Sequence, residues 1–189
     1  MSGMSFAQLS QLLLQGTLDT LYMTLVSTAI AYLIGIPLGV ILVITRRDGI
    51  CPAPKTNAVL GTIVNIMRSV PFLILIIVLI PFTRLVAGTS IGATATIVPL
   101  IVGAAPFIAR MVESSLLEVD AGVVEAAQAM GASPWQIVTK VLLKESVPSL
   151  VTGAAIALTT ILGYSAMAGA VGGGGLGDLA IKYGYHRYQ

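Results

Sequence analysis

The stretch LYMTLVSTAIAYLIGIPLGVILVI, residues 21–44, contains no charged side chain. A helix that crosses the hydrocarbon core of a membrane needs about 20 consecutive, mainly apolar residues, so this stretch is long enough to cross it. The rest of the 189-residue chain has the same character, because 56% of its residues are hydrophobic and 10% are charged. Soluble domains carry about 25% charged residues. The sequence therefore predicts an integral membrane protein of the all-α class.

Three more apolar stretches predict membrane spans: one from about Ala58 to Phe82, one from Ile91 to Ile108, and one from Pro148 to the glycine run at residues 172–175. The first span is predicted to begin at Leu21, after a short interfacial helix. These spans form one polytopic helical bundle, a single membrane domain covering residues 1–189. The glycine run lacks the lysine and the Ser/Thr of a phosphate-binding loop, so a flexible turn is expected there.

A long polar loop, at about residues 112–146, separates the third span from the fourth. Basic residues are more frequent on the cytoplasmic side of membrane proteins. Six stand on the side of this loop and three on the opposite side: Arg46, Arg47, Lys55, Arg110, Lys140 and Lys144, against Arg84, Lys182 and Arg187. This excess predicts that the long loop is cytoplasmic.

Several functional classes are disfavoured by composition. The only cysteine, Cys51, excludes an internal disulfide and a multi-cysteine metal site. The net charge of +2 is too small to indicate nucleic-acid binding. The sequence contains neither a phosphate-binding loop nor a catalytic set of side chains, so we predict no catalytic residue, no metal site and no cofactor bound by this chain.

Two helix starts are predicted inside the long loop. Asp120 is suited to cap a helix over 121–130, and Gly131 is suited to end it because glycine adopts positive φ freely. The run Ser133-Pro134-Trp135-Gln136 predicts a second start, with Ser133 as N-cap, proline at the first helical position and Gln136 completing a capping box.

The helix over 121–130 has two interpretations. An ordinary amphipathic loop helix on the membrane surface is one, but its apolar face is weak for a membrane anchor. The other is a helix that enters a cleft on a partner protein, because Ala126 and Ala129 have little bulk and Glu125 is free to meet a basic group.

The motif Glu125-Ala126-Ala127, then Gly131, then Val141-Leu142-Leu143 resembles the EAA loop of bacterial ABC importer permeases. Val141 replaces the usual isoleucine, and Lys144 stands where proline is usual. The resemblance implies that this loop forms the coupling helix that docks into an ATPase subunit. It assigns that role to Glu125, Ala126, Ala127, Gly131, Ala132 and Ser133.

Other segments resemble the methionine branch of these permeases. They are Arg68-Ser69-Val70-Pro71-Phe72, residues 102–110, Gly163-Tyr164-Ser165-Ala166-Met167, and residues 171–177. The resemblance implies a subunit with five spans, whereas four are predicted in this chain. We therefore expect the fifth family span to be absent or removed here. The resemblance implies a homodimer, two separate ATP-binding cassette ATPase subunits that use ATP and Mg²⁺, and an extracytoplasmic substrate-binding protein, in the bacterial cytoplasmic (inner) membrane.

Candidate pathway residues lie in the second and fourth spans. The fourth span is rich in small residues, among which Tyr164, Ser165 and Met167 are the bulky or polar exceptions. Met167 is the predicted gate, as a soft apolar plug beside a two-fold axis. Arg68 is interpreted either as an arginine that reaches lipid headgroups or as one that faces inward to brace the core or border the pathway.

The function predicted from these features is that of a membrane-spanning permease subunit, in contact with lipid, of an ATP-driven, binding-protein-dependent importer for methionine. A sibling importer for polar amino acids or osmoprotectants is the first alternative. A membrane-embedded enzyme is another, although only Arg68 offers a polar catalytic group within a span. A secondary transporter is disfavoured because intramembrane acidic residues are missing.

Overall fold

The computed structural model describes residues 5–185, and over that range the chain forms helices and turns without a β-strand. Arg187, one of the basic residues on the predicted outer side, lies outside the described residues. The α-helices are α1 (Phe6–Ile44), α2 (Pro54–Ser69), α3 (Phe72–Val78), α4 (Ile80–Ala87), α5 (Ala93–Leu117), α6 (Ala121–Ala129), α7 (Pro134–Gln136), α8 (Leu143–Glu145), α9 (Val147–Ala168) and α10 (Gly175–Leu179). Ile137–Leu142 and Ala180–Tyr185 are π-helical, and Gly169–Val171 forms a 3-10 turn.

Three helical stretches of the described chain are long and apolar enough to cross a membrane: α1, α5 and Val147–Val171. A bent pair, α2 and α3, adds a fourth crossing if the two helices form one broken span. The predicted class, an all-α polytopic membrane bundle, is therefore confirmed, and the predicted four spans are reached if α2 and α3 form one broken span.

The second span, predicted from about Ala58 to Phe82, is broken at its prolines, and α2 and α3 meet at an angle of 101°. Pro71 has extended torsions, φ −57° and ψ 134°, and stands immediately before α3. Pro81 lies in the first turn of α4. Proline lacks a backbone donor and disfavours helix in the residue before it, so each proline ends one helix and begins the next.

The first helix begins before the predicted start of the span at Leu21, because α1 starts at Phe6 and runs without interruption for 39 residues. A separate interfacial helix before Leu21 is therefore wrong. At 1.5 Å per residue α1 is about 58 Å long, nearly twice the ~30 Å hydrocarbon core. The extra turns pack through Gly16, where a Cβ would lie 2.5 Å from a methyl carbon of Leu179.

The described chain divides into two compact units that interleave in sequence. The first contains the residues up to 30, 70–104 and those from 158 onward, and the second contains 31–69 and 105–157. In the first unit the predicted turn at the glycine run is present, and it is hydrogen-bonded to α5 and the residue before it, because the Gly92 N–H donates to Gly172 O (2.9 Å) and the Thr96 hydroxyl donates to Gly173 O (3.1 Å).

The second unit is held by close helix contacts and by side-chain to backbone hydrogen bonds. A Cβ at Gly39 would meet Val112 at 2.7 Å, so the glycine lets α1 and α5 approach closely. The Asn57 amide donates to Leu42 O (2.6 Å) and to the Thr45 hydroxyl (3.0 Å). These bonds fix the beginning of α2 against the end of α1.

Candidate coupling surface and pathway residues

Helix α6 is closed at both ends by local hydrogen bonds. The Asp120 carboxylate accepts from the Gly122 N–H at 2.7 Å. At the other end Gly131 has φ +80°, its N–H donates to Gln128 O (2.9 Å), and the Ala132 N–H donates to Ala127 O (3.1 Å). This pair of bonds is the Schellman arrangement. The predicted cap and terminator are both confirmed, and α6 is a short, well-defined helix.

The predicted second helix start is also confirmed. Ser133 is the N-cap, with φ −70° and ψ 156°, and Pro134 occupies the first turn. The Ser133 N–H donates to Gln136 Oε1 (2.8 Å) and the Gln136 N–H donates to Ser133 Oγ (3.4 Å), which completes the capping box. Beyond α7 the backbone is π-helical and then α-helical again before α9, so the path to the last span is interrupted rather than continuous.

Burial sorts the predicted coupling residues into two groups. Ala127 is only 5% exposed, and α6 packs on the π-helical segment Ile137–Leu142. Ala127 therefore contributes to packing within this chain. Ala132 is half-buried, whereas Glu125, Ala126, Gly131 and Ser133 are exposed.

Two large apolar side chains beside these residues were not singled out from the sequence. Met130 is 82% exposed and Trp135 is 75% exposed. Met130 is the C-cap of α6, and Trp135 lies in α7 just beyond the turn. Large apolar side chains exposed close together mark interaction sites more often than isolated ones do. We define the coupling surface as Glu125, Ala126, Met130, Gly131, Ser133 and Trp135.

A groove of about 310 Å³ runs beside the coupling surface. Glu125 and Gln128 line it from α6, and Arg46 and Asp48 line it from the loop after α1. Arg46 Nε lies 3.3 Å from Asp48 Oδ1. A backbone hydrogen bond at Asp48 and this guanidinium hold the pKa of the Asp48 carboxyl below its usual range. Asp48 therefore satisfies Arg46, and Glu125 stays available to a basic partner.

The candidate pathway residues of α9 have different environments. Met167 is 46% exposed. Ser165 is 1% exposed, and its hydroxyl donates to Leu162 O at 2.8 Å, so its hydrogen bond is satisfied inside the helix. Tyr164 is half-buried and stacks on Phe72, with ring centroids 4.4 Å apart and planes 3° from parallel. Phe72 was not predicted to have a role there.

The two arginines of the second unit also differ. Arg110 Nη1 pairs with Glu113 Oε2, and Arg110 Nη2 donates to Gly61 O at 2.9 Å. Arg110 therefore braces α5 against α2, a role that was considered for Arg68. Arg68 is exposed and lines a cavity together with Arg110. Within residues 5–185, histidine, cysteine and acidic side chains form no group of three or more that would hold a metal ion.

The family described as "Binding-protein-dependent transport system inner membrane component" matches residues 35–185. The chain belongs to this family. Residues 35–185 contain the coupling surface, both arginines and the candidate gate.

The permease is similar to curated relatives along most of its length. A probable D-methionine transport system permease protein of Vibrio cholerae is 56% identical over 184 residues, which cover 97% of this chain and 82% of that protein. A D-methionine transport system permease protein of Escherichia coli K12 is 56% identical over 158 residues, covering 84% of this chain and 73% of that protein. A solved MetNI methionine ABC transporter in an inward-facing conformation contains a chain with TM-score 0.96 and 54% identity, covering 98% of this chain and 86% of that one.

The exposed side chains of the permease were the hardest features to find from its sequence. Trp135 is the only tryptophan in the chain, and it lies in the capping box of a polar loop. A lone tryptophan at such a position is a signal for an exposed contact residue, because tryptophan is enriched where binding energy is concentrated. Phe72 offers a weaker signal, as the first aromatic residue after Pro71.

Proposed function

We propose that this permease is the membrane-spanning subunit of an ATP-driven, binding-protein-dependent importer for methionine in a bacterial inner membrane. The observation that carries the substrate is the 56% identity to a D-methionine transport permease over 97% of this chain. The MetNI methionine ABC transporter of the same fold supports the ATP-driven mechanism. The membrane-embedded enzyme is not supported by these relatives, which are transport components.

The coupling surface is the proposed contact with a separate ATPase subunit. Its capped helix and Schellman turn hold Met130 and Trp135 outward on a rigid support, which is favourable for insertion into a cleft because little conformational entropy is lost on docking. Glu125 lies at the edge of this surface, where it can pair with a basic group. Closure of two ATPase subunits around ATP would then displace α6 and the helices that follow it.

The translocation path is proposed to form between two copies of the permease. Helix α9 has an exposed face on which small and hydroxyl side chains recur: Thr152, Ala155, Thr159, Gly163 and Ala166. Small residues allow helices to approach closely in lipid. Met167 closes this face near the predicted outer end, and the Tyr164–Phe72 stack steadies the helix behind it. An extracytoplasmic binding protein would deliver substrate at that end.

Uptake by the reconstituted transporter tests this proposal. The permease is incorporated into lipid vesicles with its ATPase and binding protein, and ATP-dependent entry of labelled methionine is measured. Excess unlabelled methionine should abolish entry of the label, and polar amino acids or osmoprotectants should not. Competition by those solutes but not by methionine would favour the sibling importer and contradict the proposal.

A further inference from the structure

A cavity of about 460 Å³ in the second unit is lined by three charged side chains, which is unusual in so apolar a protein. Arg68 lines it from the last turn of α2. Arg110 and Glu118 line it from α5 and the residue following that helix, and Thr152 and Ile156 line it from α9. Its volume lies within the range of about 300–1,000 Å³ that is usual for small-molecule sites.

Arg68 lies inside the second predicted span. That span begins at about Ala58 on the cytoplasmic side, and Arg68 follows about ten residues later, about 15 Å along the axis of α2. That distance is about half of the ~30 Å hydrocarbon core. An arginine at such depth must be paired or must face water. Over residues 5–185 its guanidinium has no ion pair or hydrogen bond, so the water-accessible cavity is what accommodates it.

Of the other charged side chains that line the cavity, only Glu118 is without an ion pair within residues 5–185. Arg110 is already neutralised by Glu113 and bonded to Gly61 O. The Glu118 carboxylate is exposed and is in none of the ion pairs of the described chain. The cavity therefore offers one uncompensated positive group, Arg68, and one uncompensated negative group, Glu118.

Hydroxyl and apolar groups complete the lining. The Ser149 hydroxyl donates to the Ser115 hydroxyl at 3.0 Å, and the Thr152 hydroxyl donates to Pro148 O at 3.1 Å. Met111 and the 49%-exposed Ile156 supply an apolar wall. A ligand that matches this lining has a carboxylate, an ammonium and an apolar side chain.

We propose that this cavity is a transit site for a zwitterionic, apolar amino acid that leaves the pathway on the cytoplasmic side. Arg68 binds the carboxylate, for which the planar guanidinium fork is well suited. Glu118 binds the ammonium, and Met111 and Ile156 contact the side chain. The inference rests on the proposed function, because it takes the imported methionine as the ligand.

Site-directed labelling of a thiol inside the cavity tests the proposal. In the full complex with its ATPase, Cys51→Ser removes the native thiol and Thr152→Cys places a new one in the lining. Inside-out vesicles without nucleotide then expose the thiol to a charged, membrane-impermeant thiol reagent. Bound methionine should slow labelling by the factor 1 + [L]/Kd, about threefold at twice the Kd. Methionine methyl ester and N-acetylmethionine, which each lack one charge, should not slow it.

Matched variants test whether protection by methionine depends on Arg68 and is confined to the cavity. Adding Arg68→Gln to the probe variant should abolish protection, and Arg68→Lys should retain part of it. Lys140→Cys, an exposed position outside the cavity, should label at the same rate with and without methionine and reports a correctly inserted complex. Vesicles prepared with and without ethanolamine phospholipids distinguish an amino acid from a zwitterionic lipid headgroup as the occupant.

The inference is overturned if methionine does not protect the Thr152→Cys thiol, if the methyl ester protects it equally, if Arg68→Gln leaves protection intact, or if only the lipid protects. Import of labelled methionine by the Cys51→Ser complex is measured in parallel. Import without protection overturns the transit site and leaves the proposed function standing, whereas a complex that does not import methionine removes both.

Discussion

Replacement of Trp135 by alanine should weaken binding of the ATPase subunit by about 30-fold or more. A tryptophan side chain contributes about 150–250 Å² of surface, and Trp135 is 75% exposed in this chain. Docking can therefore cover on the order of 150 Å², which at ~25 cal/mol/Å² corresponds to about 4 kcal/mol, or about 2 kcal/mol if half of it is covered. A loss of about 2 kcal/mol raises Kd by a factor of about 30.

The assay is titration of the purified permease, in detergent or nanodiscs, with its ATPase subunit. Trp135→Phe keeps most of the apolar area and should stay close to wild type, so it is the matched control. Uptake by the alanine variant should recover when the ATPase is supplied in excess. The competing interpretation places Trp135 in the membrane interface, where tryptophan is enriched. An ATPase affinity unchanged by Trp135→Ala would refute the docking argument and favour that alternative.

Three further substitutions test other parts of the account. Gly131→Ala forces a left-handed conformation on alanine at a cost of about 1–2 kcal/mol, so uptake should fall while the amount of protein in the membrane is unchanged. The control is Gly88→Ala, because Gly88 has φ +75° and equally open surroundings but lies away from the coupling surface. It carries the same strain and should leave uptake intact. Met167→Ala should raise basal leak of methionine from loaded vesicles, whereas Leu162→Ala, also exposed on α9, should not, and equal leak in both would remove the gate assignment. Gly177→Ala places a Cβ against a backbone carbonyl of α9 and should destabilise the fold by about 1–3 kcal/mol, measured as a lower Tm of the solubilised protein.

Features that depend on short-range chemistry could be predicted from the sequence. The Asp120 cap, the Gly131 terminator and the Ser133–Gln136 capping box each involve partners within a few residues, and all three occur in the structure. The apolar length that defines the spans is equally local. The membrane class and the arrangement of the coupling loop followed from these signals.

Features that depend on distant neighbours could not be predicted in this way. Ala127 and Ala126 are the same residue type in adjacent positions, yet only Ala127 is buried, because the segment that packs on α6 comes later in the chain. Likewise, Arg110 rather than Arg68 became the bracing arginine, because its partner Gly61 O lies 49 residues away. Helix faces can be drawn from periodicity, but which face meets which neighbour is set by the tertiary packing.

Affinity capture of the permease from its native membrane is the most direct test of the central claim that a separate nucleotide-driven subunit moves this chain through its coupling surface. A photo-crosslinking residue at position 130 would mark whatever touches that surface. We expect an ATP-binding cassette subunit to co-purify in equal number with the permease and to carry the crosslink, and uptake of methionine to stop when that subunit is removed. Uptake that continues with no such subunit attached would contradict the account.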